Sequence, residues 1–217
     1  MNMPQIHGAS PAQLTLVSVH CSRYRALLEL SDGQTLVMPR AMLKERPYRG
    51  GTPFDRQAFD AFIRNRSYSF AMERAVSLLS VRARTEKELR SALLESAYPQ
   101  DAIDRVLDYL CEAGYINDWE FASRWASSRV SKGMGSRRIQ TELRHKGVNP
   151  DEIESALESL SDDAQFEAAL IAAKKAARGK NLIFAPDRQK VFAALARRGF
   201  DFSLARRALE RLCSELE

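Results

Sequence analysis

Residues 86–110 read EKELRSALLESAYPQDAIDRVLDYL, and their apolar positions decide the fold. Leu89, Leu93, Ala97, Tyr98, Ile103, Leu107 and Leu110 return 50 residues on as Ile139, Leu143, Gly147, Val148, Ile153, Leu157 and Leu160. They return again, 52 residues further, as Val191, Leu195, Gly199, Phe200, Ala205, Leu209 and Leu212. Each window keeps apolar or small character at the matching positions, with no gap inside it. Self-similarity at a fixed period is the mark of a repeat architecture, in which each unit shields its neighbour's apolar face. It points to an extended contact surface rather than to one catalytic pocket.

Each repeat reads as three helices. In the first they run over about 69–82, 86–96 and 100–113, with Thr85 and Glu88 as a capping box for the middle one. In the second, Asn117 with Glu120 caps a helix through Phe121, Ala122, Trp125 and Ala126. Gly135-Ser136 opens the next helix and Gly147 closes it, and Asn149-Pro150-Asp151-Glu152 starts the last. The third begins near Phe166, carries a longer loop from Gly179 to Pro186, and has Asp201 as the cap of its last helix. Asp162-Asp163 reads as a hinge before it. Two departures mark the first repeat. Ala97 stands where the others have Gly147 and Gly199, so its middle helix is expected to end differently, and Pro99 stands at the cap held elsewhere by Asn149 and Asp201.

Upstream, the pattern is β. Leu14 to Val19 and Tyr24 to Leu30 are rich in strand formers, and Asp32-Gly33 before Thr35-Leu36-Val37-Met38 signals a hairpin, with Pro39 ending the strand. Gly50-Gly51 reads as a flexible joint. Thr52-Pro53-Phe54-Asp55 reads as a helix start, with a capping hydroxyl and a proline at the first helical position. The expected fold is mainly α: three tandem three-helix repeats forming an elongated, curved body, with a small N-terminal β-hairpin or three-stranded element. The division expected is a β element over 1–51, a linking helix over 52–68, and repeats over 69–116, 117–162 and 163–217.

The chain of 217 residues is 45% hydrophobic and 28% charged, as ordinary soluble proteins are. No apolar run has the length of a membrane span, and the start carries no basic-then-apolar leader pattern. Cys21, Cys111 and Cys213 are odd in number and lack any CxxC pair, which suggests neither a disulfide framework nor a zinc site and fits a bacterial-type cytosol or a nucleus. The net charge of +5 is unevenly spread. Residues 1–70 carry +4, 71–118 carry −3, 119–150 carry +5, 151–171 carry −7 and 172–211 carry +8. Basic blocks separated by an acidic one suit polyanionic partners, although helix-rich proteins also solvate their outer faces with Arg and Lys.

The string from Gly133 to Gly147 is the most distinctive. Paired Arg137 and Arg138 oppose the dipole of the helix they start, so helix stability does not explain them. With free N–H groups beside them they would suit a phosphate or carboxylate. No GxGxxG or GK[ST] pattern accompanies them. Gly114-Tyr115-Ile116-Asn117-Asp118 joins the first two repeats, with Gly114 ending a helix and Tyr115 and Ile116 plugging the seam. Trp125 reads as core and Trp119 as partly exposed. Lys174, Lys175, Arg197 and Arg198 sit near helix ends, where cations are favoured anyway; Arg206, Arg207 and Arg211 lack that explanation. His7, His20 and His145 show no triad or metal spacing, and His20 and Cys21 are adjacent on a strand and so point to opposite faces. No catalytic group, metal or cofactor is expected.

The run from Leu78 to Leu89, the Gly114-to-Asp118 string through Phe121-Ala122, and the Gly133-to-Gly147 string together resemble the RecX family of regulatory proteins. The resemblance covers roughly 70–217; the β element and helix before it look like the N-terminal extension of some members. It implies a bacterial cytoplasmic protein, monomeric and non-enzymatic. Such proteins bind the RecA recombinase, mostly as its filament on DNA, and inhibit its ATPase and strand exchange, modulating DNA repair and recombination and the SOS response. It also implies non-specific contact with single- or double-stranded DNA. The residues expected to carry these contacts are Arg124, Arg129, Lys132, Arg137, Arg138, Arg144 and Lys146, then Lys174, Lys175, Arg197, Arg198, Arg206, Arg207 and Arg211. The alternative is a helix-turn-helix-like transcription regulator, since three-helix units with a basic middle helix permit one.

Overall fold

A computed structural model describes residues 14–215. His7 and the reading of the chain's start lie outside the described residues. The described chain packs as two units. The first comprises residues up to Arg82 with Leu89–Ala113, and the second comprises Ala83–Glu88 with Gly114 onward.

The first unit opens with three strands, β1 (Thr15–Cys21), β2 (Arg25–Leu30) and β3 (Thr35–Pro39), followed by a 3-10 turn over Arg40–Lys44 that the sequence reading did not include. Asp32-Gly33 makes the expected turn, with Gly33 at φ 84°. A fourth strand, β4 (Thr52–Pro53), pairs antiparallel with β1, giving the order β3-β2-β1-β4. This corrects two expectations. The sheet has four strands rather than three, and Thr52 is in the sheet rather than capping a helix. The cap lies three residues on, where Asp55 accepts from the Ala58 N–H at 2.9 Å. Gly50-Gly51 is an ordered turn into β4, with the Gly51 N–H donating to the Leu16 carbonyl at 2.7 Å.

The helix that follows, α1 (Arg56–Leu79), is a single run of 24 residues, not a linker and a separate first helix. Nothing in 64–70 breaks it: no Gly or Pro interrupts the run. Its Phe59 joins Leu16, Ala26, Leu28, Met38, Met42 and Phe54 in the core under the sheet. Then come α2 (Glu86–Glu95) and α3 (Gln100–Glu112), with Leu89, Leu93, Ile103, Leu107 and Leu110 all buried as the repeat predicts. The Tyr98 hydroxyl donates to the Phe70 carbonyl of α1 at 3.1 Å.

The second unit contains α4 (Asp118–Val130), α5 (Ser136–Lys146), α6 (Pro150–Glu158), α7 (Asp162–Ala177), α8 (Ala185–Arg197) and α9 (Phe202–Ser214). One apolar cluster runs through it, from Ala122 and Ala126 through Ile139, Leu143, Ile153 and Ala169 to Leu195 and Leu212. The caps at Asn117, Asn149 and Asp201 form as read, and Asn149 makes a full capping box with Glu152. Asp162-Asp163 is no hinge. These acids fill the first turn of α7 behind Ser161, whose hydroxyl accepts from the Ala164 N–H at 3.2 Å, and acids there favour the dipole. Ile116 is buried, whereas Tyr115 is 68% exposed and plugs nothing.

The three middle helices end alike, against expectation. An N–H just past the helix reaches back in each case: Tyr98 to the Leu93 carbonyl at 3.3 Å, Val148 to Leu143 at 3.2 Å, and Phe200 to Leu195 at 3.2 Å. The residue between is left-handed each time, Gly147 and Gly199 at φ 87° and Ala97 at φ 62°. The first repeat keeps the same backbone and accepts an alanine in a conformation that costs an L-residue about 1–2 kcal/mol.

Candidate functional site

All the cations expected to make contacts lie in the second unit, and the structure sorts them by what they already hold. Glu142 on α5 is a hub. It accepts from the Arg129 Nε at 2.7 Å and the Trp125 Nε1 at 3.1 Å, and the Arg138 Nε stands 3.5 Å away. Burial pushes its carboxyl up, but the hydrogen bonds from Arg129 and Trp125, the Arg129 charge and the Arg138 contact outweigh it and hold it below the usual carboxylate range. Arg129 also lies over the Trp125 ring at 4.1 Å, and Phe121 stacks on Trp125 with centroids 5.8 Å apart. Lys146 completes the same face: its Nζ is 4.4 Å from the Trp125 centroid and 2.7 Å from a Glu88 oxygen, while its carbonyl accepts from the Thr85 hydroxyl at 2.7 Å. Thr85 therefore caps the helix start, accepting from the Glu88 N–H at 3.2 Å, while the Glu88 carboxylate serves Lys146. Arg129 and Lys146 hold the unit together. The signal for this lay in the i, i+4 ladder Phe121-Trp125-Arg129, of which the sequence reading took Trp125 as core and Arg129 as a contact residue.

Asp118 begins α4 beside this network. Burial lifts its carboxyl to about 6; the Glu86 N–H that it accepts at 3.0 Å pulls the other way, and Glu152, Glu86 and Glu88 add to the rise. Sequence reading gave it no role beyond the joining string.

The start of α5 is closed rather than open. The Arg137 N–H, expected to be free, donates to the Gly199 carbonyl at 3.1 Å, and the Gly135 N–H donates to the Arg198 carbonyl at 2.9 Å. The Arg198 Nη1 in turn donates to the Gly133 carbonyl at 3.1 Å. The end of α8 thus abuts the start of α5, backbone to backbone. A Cβ on Gly135 would fall 2.3 Å from the Gly199 carbonyl carbon, and one on Gly199 would fall 2.4 Å from the Arg138 nitrogen. Arg198 is consumed by the joint, and no cradle of free N–H groups remains for an anion at that turn.

The other cations divide between paired and unpaired. Arg124 pairs with Glu120, Arg206 with Glu210 at 2.7 Å, and Lys174 and Arg211 both with Glu215, at 3.0 and 3.3 Å. Arg207 lies over the Phe166 ring at 5.1 Å. Lys132, Arg137, Arg144, Lys175 and Arg197 are exposed and have no ion-pair partner among the described residues. Arg137 and Arg144 are seven residues apart, two turns along one face of α5, opposite the buried Ile139 and Leu143. Apart from the Arg137 charge, which helps hold the Asp201 carboxyl down, these cations give up little in taking a new anion.

No group of three or more His, Cys, Asp and Glu residues placed to hold a metal occurs among the described residues, and no described helix is long and apolar enough to cross a membrane. Cys21, Cys111 and Cys213 form no disulfide among the described residues.

Three family models match in series: the first three-helix domain of RecX over residues 71–110, the second over 117–157 and the third over 163–209. The chain is 40% identical over 134 residues to the regulatory protein RecX of Mycolicibacterium smegmatis, covering 59% of this chain and 71% of that one. It is 34% identical over 148 residues to the regulatory protein RecX of Listeria monocytogenes, covering 67% and 55%. Among solved structures, a crystal structure of regulatory protein RecX matches 88% of this chain and 96% of its own at 23% identity and a TM-score of 0.61. RecX from Lactobacillus salivarius matches 67% and 96%, at 23% identity and a TM-score of 0.63.

Proposed function

This chain belongs to the RecX family, and from that premise we propose that it binds RecA and its DNA filament in the cytoplasm. It acts as a monomeric, non-enzymatic inhibitor of ATP hydrolysis and strand exchange, and so modulates DNA repair, recombination and the SOS response. The observation that carries this reading is the unpaired cation face of α5, Arg137 and Arg144 with Lys132 just before the helix. Arg at such a face gives bidentate contact to phosphate or carboxylate. It positions a protein on nucleic acid without reading bases. Lys175 and Arg197 are secondary contacts. Arg124, Lys174, Arg206 and Arg211 join once their surface pairs, worth little in water, are exchanged. Arg207 extends the same set, whereas Arg129, Arg138, Lys146 and Arg198 position the rest.

The test adds the protein to cognate RecA preassembled on single-stranded DNA and follows ATP hydrolysis. Hydrolysis should slow, and binding should weaken steeply with salt through counterion release. Unchanged hydrolysis at stoichiometric excess overturns the reading. A helix-turn-helix regulator reads bases with the first turn of its second helix. Sequence-specific, dimeric duplex binding by this chain would favour that alternative instead.

A further inference from the structure

The first unit carries a basic cavity that none of the contacts above uses. It has a volume of about 580 Å³, and Arg23 and Tyr24 of the β1–β2 turn, Arg40 and Lys44 of the 3-10 turn, Arg74 of α1 and Tyr98 after α2 line it. Four cations from three elements converge, and no carboxylate is among the lining residues. Nearby Glu45 is taken by Arg66 at 2.7 Å. Burial raises the Tyr98 hydroxyl to about 12, so it adds no negative charge.

Arg74 is the decisive group. Its guanidinium lies 4.8 Å from the Tyr24 ring centroid, with Arg23 at 5.1 Å from the same ring. Its Nε is buried and has no hydrogen-bond partner. A buried guanidinium nitrogen without an acceptor costs free energy that a bound anion would recover. The Glu73 charge reaches Tyr98, but Glu73 is not among the lining residues, so the two guanidiniums over one ring keep an excess of positive charge that an anion would offset.

We propose that this cavity binds the phosphate backbone of a single-stranded polynucleotide, giving the chain a second nucleic-acid contact in its N-terminal unit. The cations ring the rim in greater number than one phosphate needs, which suits successive phosphates of a strand. The volume admits a nucleotide-sized group. The +4 carried by residues 1–70 draws a polyanion towards it. The inference rests on the DNA part of the reading above but names a different place, and its test uses no RecA.

Cys21 lines the cavity and is exposed, while Cys111 is exposed on α3 outside its lining, so the unaltered protein carries its own reporter and reference. Alkylation of each thiol is followed by peptide mass spectrometry with and without an oligothymidylate, and affinity is read by fluorescence anisotropy. The oligonucleotide should slow alkylation of Cys21 several-fold and leave Cys111 unchanged. Arg40→Gln with Lys44→Gln should weaken oligonucleotide binding roughly tenfold, as loss of charge-assisted contacts does, and abolish the protection. Arg49→Gln with Arg64→Gln, an equal charge loss in the same unit, should do neither. Cys21 reacting at the same rate under saturating oligonucleotide overturns the proposal, as does an equal loss in the control pair. Equal protection by thymidine monophosphate or inorganic phosphate at the same phosphate concentration overturns the polynucleotide assignment. If RecA hydrolysis is unaffected but Cys21 is protected, this site stands and the inhibitor reading falls.

Discussion

The end of α2 at Ala97 and the end of α8 at Gly199 share one backbone and differ in what meets it. Both reverse the chain through a left-handed residue, and both return an N–H to the helix's last turn. Beyond Ala97 the contact is made by a side chain, the Tyr98 hydroxyl on the Phe70 carbonyl. Beyond Gly199 the carbonyl caps the Arg137 N–H, and the Arg138 backbone presses where a side chain would begin. The repeat pattern therefore specifies a conformation, and the third repeat has turned that conformation into a joint that seats the basic helix. An alanine is tolerated where only conformation is asked. It is not tolerated where a second backbone must approach.

The largest effect should come from breaking the joint. Gly199→Ala adds a Cβ 2.4 Å from the Arg138 nitrogen at a φ of 87°, so backbone must move. The left-handed penalty and the overpacking together should cost roughly 2–5 kcal/mol, read as a lower midpoint in urea unfolding. Gly147→Ala shares the φ and meets the Lys87 side chain, its Cδ at 2.2 Å and its Cβ at 2.5 Å, rather than a second backbone, and should cost less. Equal losses at the two positions would erase the distinction between a turn and a joint.

Next in size is the separation of binding from seating on α5. Arg137→Ala with Arg144→Ala should weaken binding to the RecA–DNA filament by about 1–3 kcal/mol with the urea midpoint almost unmoved, since neither side chain holds an ion pair. Arg138→Ala, which removes a contact to the Glu142 hub, should instead shift the midpoint. Filament binding at wild-type strength in the first variant would move the contact face to α9, where Arg206, Arg207 and Arg211 lie.

Much of this was legible in the sequence alone. The buried sets at Leu89, Ile139 and Val191 followed from helical spacing, and the caps at Asn117, Asn149 and Asp201 from residue type, because both rules are local. What escaped was set by partners distant in sequence. Thr52 pairs with β1 because Leu16 lies opposite, a partner that local capping rules ignore. The closed start of α5 depends on Gly199, more than 60 residues away. The basic blocks were legible as composition, but which cations were spent on Glu142, Glu88 or Glu215 was not, because ion pairing is decided by packing.

The Ala97 turn allows the converse substitution. Ala97→Gly relieves the left-handed alanine at φ 62° and adds chain entropy to the unfolded state. The first exceeds the second, so a gain of roughly 0.5–1 kcal/mol is expected. A loss would mean that the Ala97 methyl, half-buried, packs well enough to offset its backbone cost.

The smallest effect is a pH dependence confined to the second unit. Asp118 has a folded pKa of about 6 against 3.8 unfolded. Between those values the folded state holds a proton that the unfolded state has released, so this group makes stability fall as pH rises from about 4 to 6. Glu142, Asp201 and Glu215 act in the opposite sense. Their folded pKa values are lowered, so their contribution is present above the unfolded values and is lost as pH falls through the folded ones. Asp118→Asn keeps an oxygen to accept the Glu86 N–H and removes the charge among Glu86, Glu88 and Glu152. It should therefore raise the urea midpoint most at pH 7.5, where Asp118 is ionised, and by only about half as much at pH 5. Screened by solvent on its open side, the gain is on the order of 1 kcal/mol. An equal gain at both pH values would mean that the asparagine packs better for reasons other than charge, and would separate the acidic start of α4 from the stability of the helix it serves.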